Sequence, residues 1–76
     1  MKYNGHKNWN CWNVSLWVNN DEWLYGLALE SIRETSNRKD AVEAMISSLH
    51  SAGIERTPDG ALYSRTSLRL AMRDMR

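Results

Sequence analysis

The chain has 76 residues, a formal net charge of +1 and one cysteine. A chain this short makes a single domain, residues 1–76, and buries only about 60% of its unfolded surface, so its stability margin is thin. The lone Cys11 excludes an internal disulfide and fits a reducing cytoplasm, near-neutrality argues against an acidic nucleic-acid mimic or a bulk polycation, and no apolar run reaches the roughly 18 residues of a membrane span.

Residues 1–7 are polar and are expected to be flexible, with no apolar stretch resembling a secretion signal. From Asn8 to Val18, Trp9, Trp12 and Leu16 recur at three- and four-residue spacing, which predicts a helix with those side chains toward the core. The alternation of Val14, Leu16 and Val18 leaves a strand open as the alternative. Asn19-Asn20-Asp21-Glu22 reads as a helix start: short polar side chains accept from free first-turn amides, and Asn19 with Glu22 has capping-box spacing. The same cluster could hold a metal, but acidic residues at a helix start are far more often caps.

A second helix then runs from Asp21 to Thr35, with Leu24, Leu27, Ala28 and Ile32 inward and Glu30 and Glu34 outward. Gly26 inside it costs roughly 1 kcal/mol relative to alanine, which close approach of another helix or an indole would explain. Ser36-Asn37 caps a third helix, Arg38 to Ala52, carried by Ala41, Val42, Met45, Ile46 and Leu49. Gly53 is its left-handed terminator, with Ile54 folding back as the hydrophobic contact. Thr57-Pro58-Asp59-Gly60 is a turn, proline presetting φ and glycine tolerating positive φ. Ala61-Leu62-Tyr63 is a short extended connector. Ser64 or Thr66 caps a last helix to Met75, with Leu68, Ala71 and Met75 inside and Met72 at the border. The expected fold is therefore all-α, a compact bundle of about four short helices.

Four tryptophans fall within residues 9–23 and phenylalanine is absent. Each indole can bury on the order of 150–250 Å², so Trp9, Trp12, Trp17 and Trp23 are expected to build the core, with one or two left outside as binding anchors. Trp23 and Tyr63 are the aromatic anchors expected. The other candidate is a stripe of Arg65, Arg69 and Arg73, four apart, with Arg76 close to the same azimuth. It could track phosphates or grip carboxylates in bidentate pairs, or be a solvated face with cations at a helix C-terminus.

Chemistry is sparse. His6, His50 and Cys11 are the conventional bases and nucleophile, and a Cys–His pair needs a third, orienting group and a pocket. Two histidines and one thiol cannot close an ordinary structural zinc site. No catalytic residue, metal or cofactor is expected, and the chain reads as a non-enzyme.

The string from Trp12 to Tyr25, Trp-Asn-Val-Ser-Leu-Trp-Val-Asn-Asn-Asp-Glu-Trp-Leu-Tyr, resembles a motif of small uncharacterised bacteriophage and plasmid proteins, Trp-Asn-x-x-Leu-Trp-x-x-Asn-Asp-Glu-x-Leu-Tyr. Thr57-Pro58-Asp59-Gly60 is similar to a turn in the same proteins. The resemblance implies a mobile-element origin and a role in the bacterial cytoplasm against a host defence complex, by analogy with anti-CRISPR proteins that bind a CRISPR–Cas effector and occlude it. The same string also reads as an αα-hairpin that needs no ligand. The leading expectation is a host-complex binder using the arginines, Trp23 and Tyr63. The alternatives are a small nucleic-acid-binding regulator using the same arginines, and a homodimer that buries surplus aromatic surface.

Overall fold

The computed structural model describes residues 8–73 and Met75. The expectation of flexibility for residues 1–7, His6 among them, and the placement of Arg76 lie outside the described residues. Four helices follow in order: α1 Trp9–Asn20, α2 Glu22–Arg33, α3 Arg38–Ser51 and α4 Arg65–Met72. Their contacts close a ring, α1 on α2, α2 on α3, α3 on α4, and α4 back on α1, the last pair being the most extensive. The radius of gyration, 11.4 Å, matches the roughly 11 Å of a collapsed chain this long. The expected all-α bundle is what forms, and residues 8–20 take the helix, with no strand in the described residues.

Local chemistry fixes each boundary. Asn8 caps α1 by accepting from the Cys11 amide at 2.9 Å. A single residue, Asp21, separates α1 from α2. Its backbone amide donates to the Trp17 carbonyl, closing α1, while its side chain accepts from the Leu24 amide, opening α2. Asp21 therefore takes the capping role expected of Asn19. Asn19 and Asn20 instead turn back and donate to the carbonyls of Ser15 and Leu16 one turn earlier in α1. Asn37 caps α3. At its other end the Gly53 amide donates to His50 and the Ile54 amide to Leu49, with Gly53 at φ +76°. That is the expected left-handed terminator. Ser64 and Ser67 form a reciprocal capping box at the start of α4. This last helix ends at Met72, short of the expected Met75, although Met75 is itself buried.

The core differs from the one the tryptophans suggest. It consists of Val14 and Val18 from α1, Leu24 and Ala28 from α2, Ala41, Val42, Met45 and Leu49 from α3, and Leu68, Ala71 and Met72 from α4, with Ala61 and Tyr63 from the connector and Met75 beyond α4. Met72, expected at the border, is fully buried. Trp9 is 40% and Trp23 53% exposed, and Trp12 and Trp17 are half-buried. Leu16, expected inward, is 41% exposed. The reason is steric. Ala28, Ala41 and Ala61 are fully buried in a core otherwise filled by valine, leucine, methionine and one tyrosine, and an indole brought into a close-packed interior has to displace such neighbours. The face of α1 turned inward is Cys11, Val14 and Val18, while Trp9, Trp12 and Leu16 lie round the other side. Gly26 likewise has no close neighbour: a Cβ there meets nothing within 4 Å. The expected tight approach is absent.

Candidate functional site

Between α3 and α4 the chain makes a small two-sided loop that the rest of the molecule holds in place. The Gly60 amide donates to the Thr57 carbonyl, Gly60 takes φ +97°, and Arg56 pairs with Leu62 in an isolated antiparallel bridge. The turn and the extended connector are as the sequence predicts. The sequence does not reveal what grips them. Asn10, Asn13 and Trp17, spaced three and four apart on α1, all reach this loop. Asn10 exchanges two hydrogen bonds with the Leu62 peptide, donating to its carbonyl at 2.9 Å and accepting from its amide at 2.8 Å. Asn13 donates to Asp59 Oδ2 at 2.9 Å and accepts from the Thr57 hydroxyl at 2.6 Å, and that hydroxyl accepts in turn from the Ala61 amide. Trp17 Nε1 donates to the same Asp59 oxygen at 2.9 Å. Hydrogen bonds from Asn13 and Trp17 hold the Asp59 carboxyl below its ordinary range. The Trp-Asn-x-x-Leu-Trp string and the Thr-Pro-Asp-Gly turn are thus two halves of one clasp. Asn13, Trp17, Thr57 and Asp59 have a structural role.

Two of the surface grooves hold the aromatic and arginine residues that the sequence singles out. The first, about 300 Å³, lies where α1 hands over to α2 and meets the loop: Trp17, Asp21, Trp23 and Leu24 on one side, Ile54, Arg56, Pro58 and Tyr63 on the other. Trp23, expected as an anchor, stands exposed at its wall. Tyr63, expected as a second anchor, is instead a core residue only 9% exposed. Its amide is fixed to the Glu55 carbonyl, which turns the ring inward. Burial, with the Asp21 carboxylate nearby, pushes its phenol above the ordinary value.

The second groove, about 370 Å³, runs between α3 and α4, lined by Lys39, Val42, Glu43, Arg65, Thr66 and Arg69. Here the arginine stripe is divided. Arg65 is taken by Glu43, its Nε and Nη2 on the two carboxylate oxygens. That fork lowers the Glu43 carboxyl and raises the Arg65 guanidinium. Arg69 shares the groove and is exposed. Arg73 is exposed at the end of α4 and does not line it. Lys39 and Glu43, one turn apart on the outer side of α3, complete the groove. The sequence offers their i, i+4 spacing as a solvated pair but does not show which helix they face.

Other chemistry is thin. Cys11 is buried on the inner face of α1, and among the described residues no three His, Cys, Asp or Glu side chains come together as a metal site. No helix in the described residues is long and apolar enough to cross a membrane. Comparison with curated proteins and with solved structures finds no match. A family model described as a family of unknown function (DUF7249) matches residues 1–76, and the chain belongs to that family.

Proposed function

For this member of DUF7249, we propose a non-enzymatic role as a protein-binding module. One observation carries the reading: among the described residues, two of the four tryptophans and one tyrosine stand exposed, with two leucines, around a core of valine, leucine, methionine and alanine that holds a single aromatic ring, Tyr63. Trp9, Leu16, Trp23, Tyr25 and Leu62 are each 40–53% exposed. A domain with a thin core leaves unused the stabilisation those rings would supply if buried, roughly 25 cal/mol per Å² of apolar surface. Exposed tryptophan and tyrosine are the residue types that dominate binding energy at interfaces. Trp23, most exposed of the five and at the wall of the aromatic groove, is the principal anchor.

The resemblance of the Trp12–Tyr25 string to phage and plasmid proteins makes a bacterial host complex the first partner to test, a CRISPR–Cas effector among them. The mechanism is steric occlusion, which a rigid domain achieves by covering a working surface without chemistry of its own. A nucleic-acid regulator has less support, because one arginine of the stripe is already neutralised by Glu43.

The test is affinity capture of the tagged chain from hosts carrying defence complexes, with the captured proteins identified and compared between wild type and Trp23→Ala. The expected result is one stoichiometric partner that Trp23→Ala loses while its melting temperature holds. Recovery of the tagged wild-type chain alone from such hosts overturns the proposal.

A further inference from the structure

The groove between α3 and α4 supports an inference that stands wherever the aromatic surface docks. Its charges do not cancel. Glu43 is the one carboxylate among the lining residues, and its two oxygens are already engaged by the Arg65 fork. Lys39 and Arg69 have no ion-pair partner among the described residues. Lys39, whose charge also acts on Glu43, and Arg69 therefore share one depression with the Arg65–Glu43 pair, above a floor formed by the buried Val42. Arg38, beside Lys39, is committed elsewhere, donating to the Met75 carbonyl.

We propose that this groove binds an acidic peptide segment, an apolar side chain seated over Val42 and flanking carboxylates on Lys39 and Arg69. Charge complementarity selects the class. The planar arginine fork matches a carboxylate in bidentate fashion, and the flexible lysine follows as a point charge. The volume is that of a small ligand pocket, and its apolar floor rewards a side chain that a phosphate backbone does not carry. A nucleic-acid strand fits less well, because the Glu43 carboxylate lines the same groove, and a net charge of +1 supplies little long-range attraction. Glu43 also acts as an internal competitor, since it occupies the guanidinium that a ligand carboxylate would otherwise use.

The probe is a fluorescein-labelled dodecapeptide with a central leucine flanked by aspartates and glutamates, followed by anisotropy at low ionic strength, where exposed ion pairs are least screened. The Asn/Gln version of the peptide and an oligothymidylate of the same length serve as comparisons. Saturable binding of the acidic peptide is expected, with the amide version at least about tenfold weaker. Lys39→Ala/Arg69→Ala should weaken binding by up to about thirtyfold, the sum of two exposed pairs at their upper values. Glu43→Gln should tighten it about threefold by releasing Arg65. Arg56→Ala, in the other groove, should leave it unchanged. Each substituted side chain is at the surface, and circular dichroism confirms that the variants are folded. Absence of saturable binding overturns the proposal. So does binding that the Lys39→Ala/Arg69→Ala variant retains, or an oligothymidylate that binds more tightly than the peptide.

Discussion

Asn13 is the residue at which the clasp between α1 and the Thr57–Gly60 turn is most open to measurement. It is 2% exposed, and Thr57, whose hydroxyl it accepts at 2.6 Å, is 4% exposed. Asn13→Ala removes that acceptor and leaves the proton of the buried Thr57 hydroxyl without its partner, which costs about 1–3 kcal/mol. The bond to Asp59 is lost as well, but that carboxylate is open to water and its contribution is smaller. A cost of about 2 kcal/mol is a large share of the roughly 4–11 kcal/mol available to a chain of this length. It corresponds to a fall in melting temperature of about 10 °C.

Thermal and urea unfolding followed by circular dichroism measure it, with Thr57→Val and the double variant completing a cycle. The two sites should couple by about 1 kcal/mol or more, because each single change already breaks the shared bond. Asn10→Ala is the control. Its bonds to the Leu62 peptide lie in water, so its loss should cost well under about 1 kcal/mol. An Asn13→Ala variant within about 0.5 kcal/mol of wild type, or an additive cycle, would refute the clasp as a structural device.

Gly26→Ala should stabilise the chain by about 0.5–1 kcal/mol, read as a raised urea midpoint, because α2 gains helix propensity and a Cβ meets nothing within 4 Å; a lowered midpoint would mean that something packs there. The Asp59 carboxyl, held low by Asn13 and Trp17, contributes stability that is present above the ordinary carboxylate value and is lost as pH falls through its depressed folded value. Asp59→Asn should therefore flatten the acid limb of a melting-temperature profile, and an acid limb as steep as wild type would assign that sensitivity to other groups.

Much of the fold is legible in the residues because its signals are local. Asn37, Ser64 and Gly53 stand where a cap or a left-handed terminator is needed, and a hydrogen bond three or four residues away satisfies each of them. The spacing of Ala41, Val42, Met45 and Leu49 marks the inner face of α3 for the same reason: one turn of helix sets it. Thr57-Pro58-Asp59-Gly60 turns where the sequence says it turns.

Which face of α1 is buried is a different kind of question. Both Trp9-Trp12-Leu16 and Cys11-Val14-Val18 have helical spacing, and hydrophobicity favours the first. Packing favours the second: Val14 and Val18 are the α1 side chains buried in the core that the other helices complete. That choice depends on side chains distant in sequence, so periodicity within one helix cannot make it. The same holds for the clasp, which joins residues 42–46 positions apart, and for Glu43, which meets Arg65 across 22 positions. Composition, caps and turns determined four helices and where they stop. Only tertiary packing decided that Trp9 and Trp23 face outward, that the Trp-Asn-x-x-Leu-Trp string grips a turn, and that one arginine of the stripe is taken by Glu43.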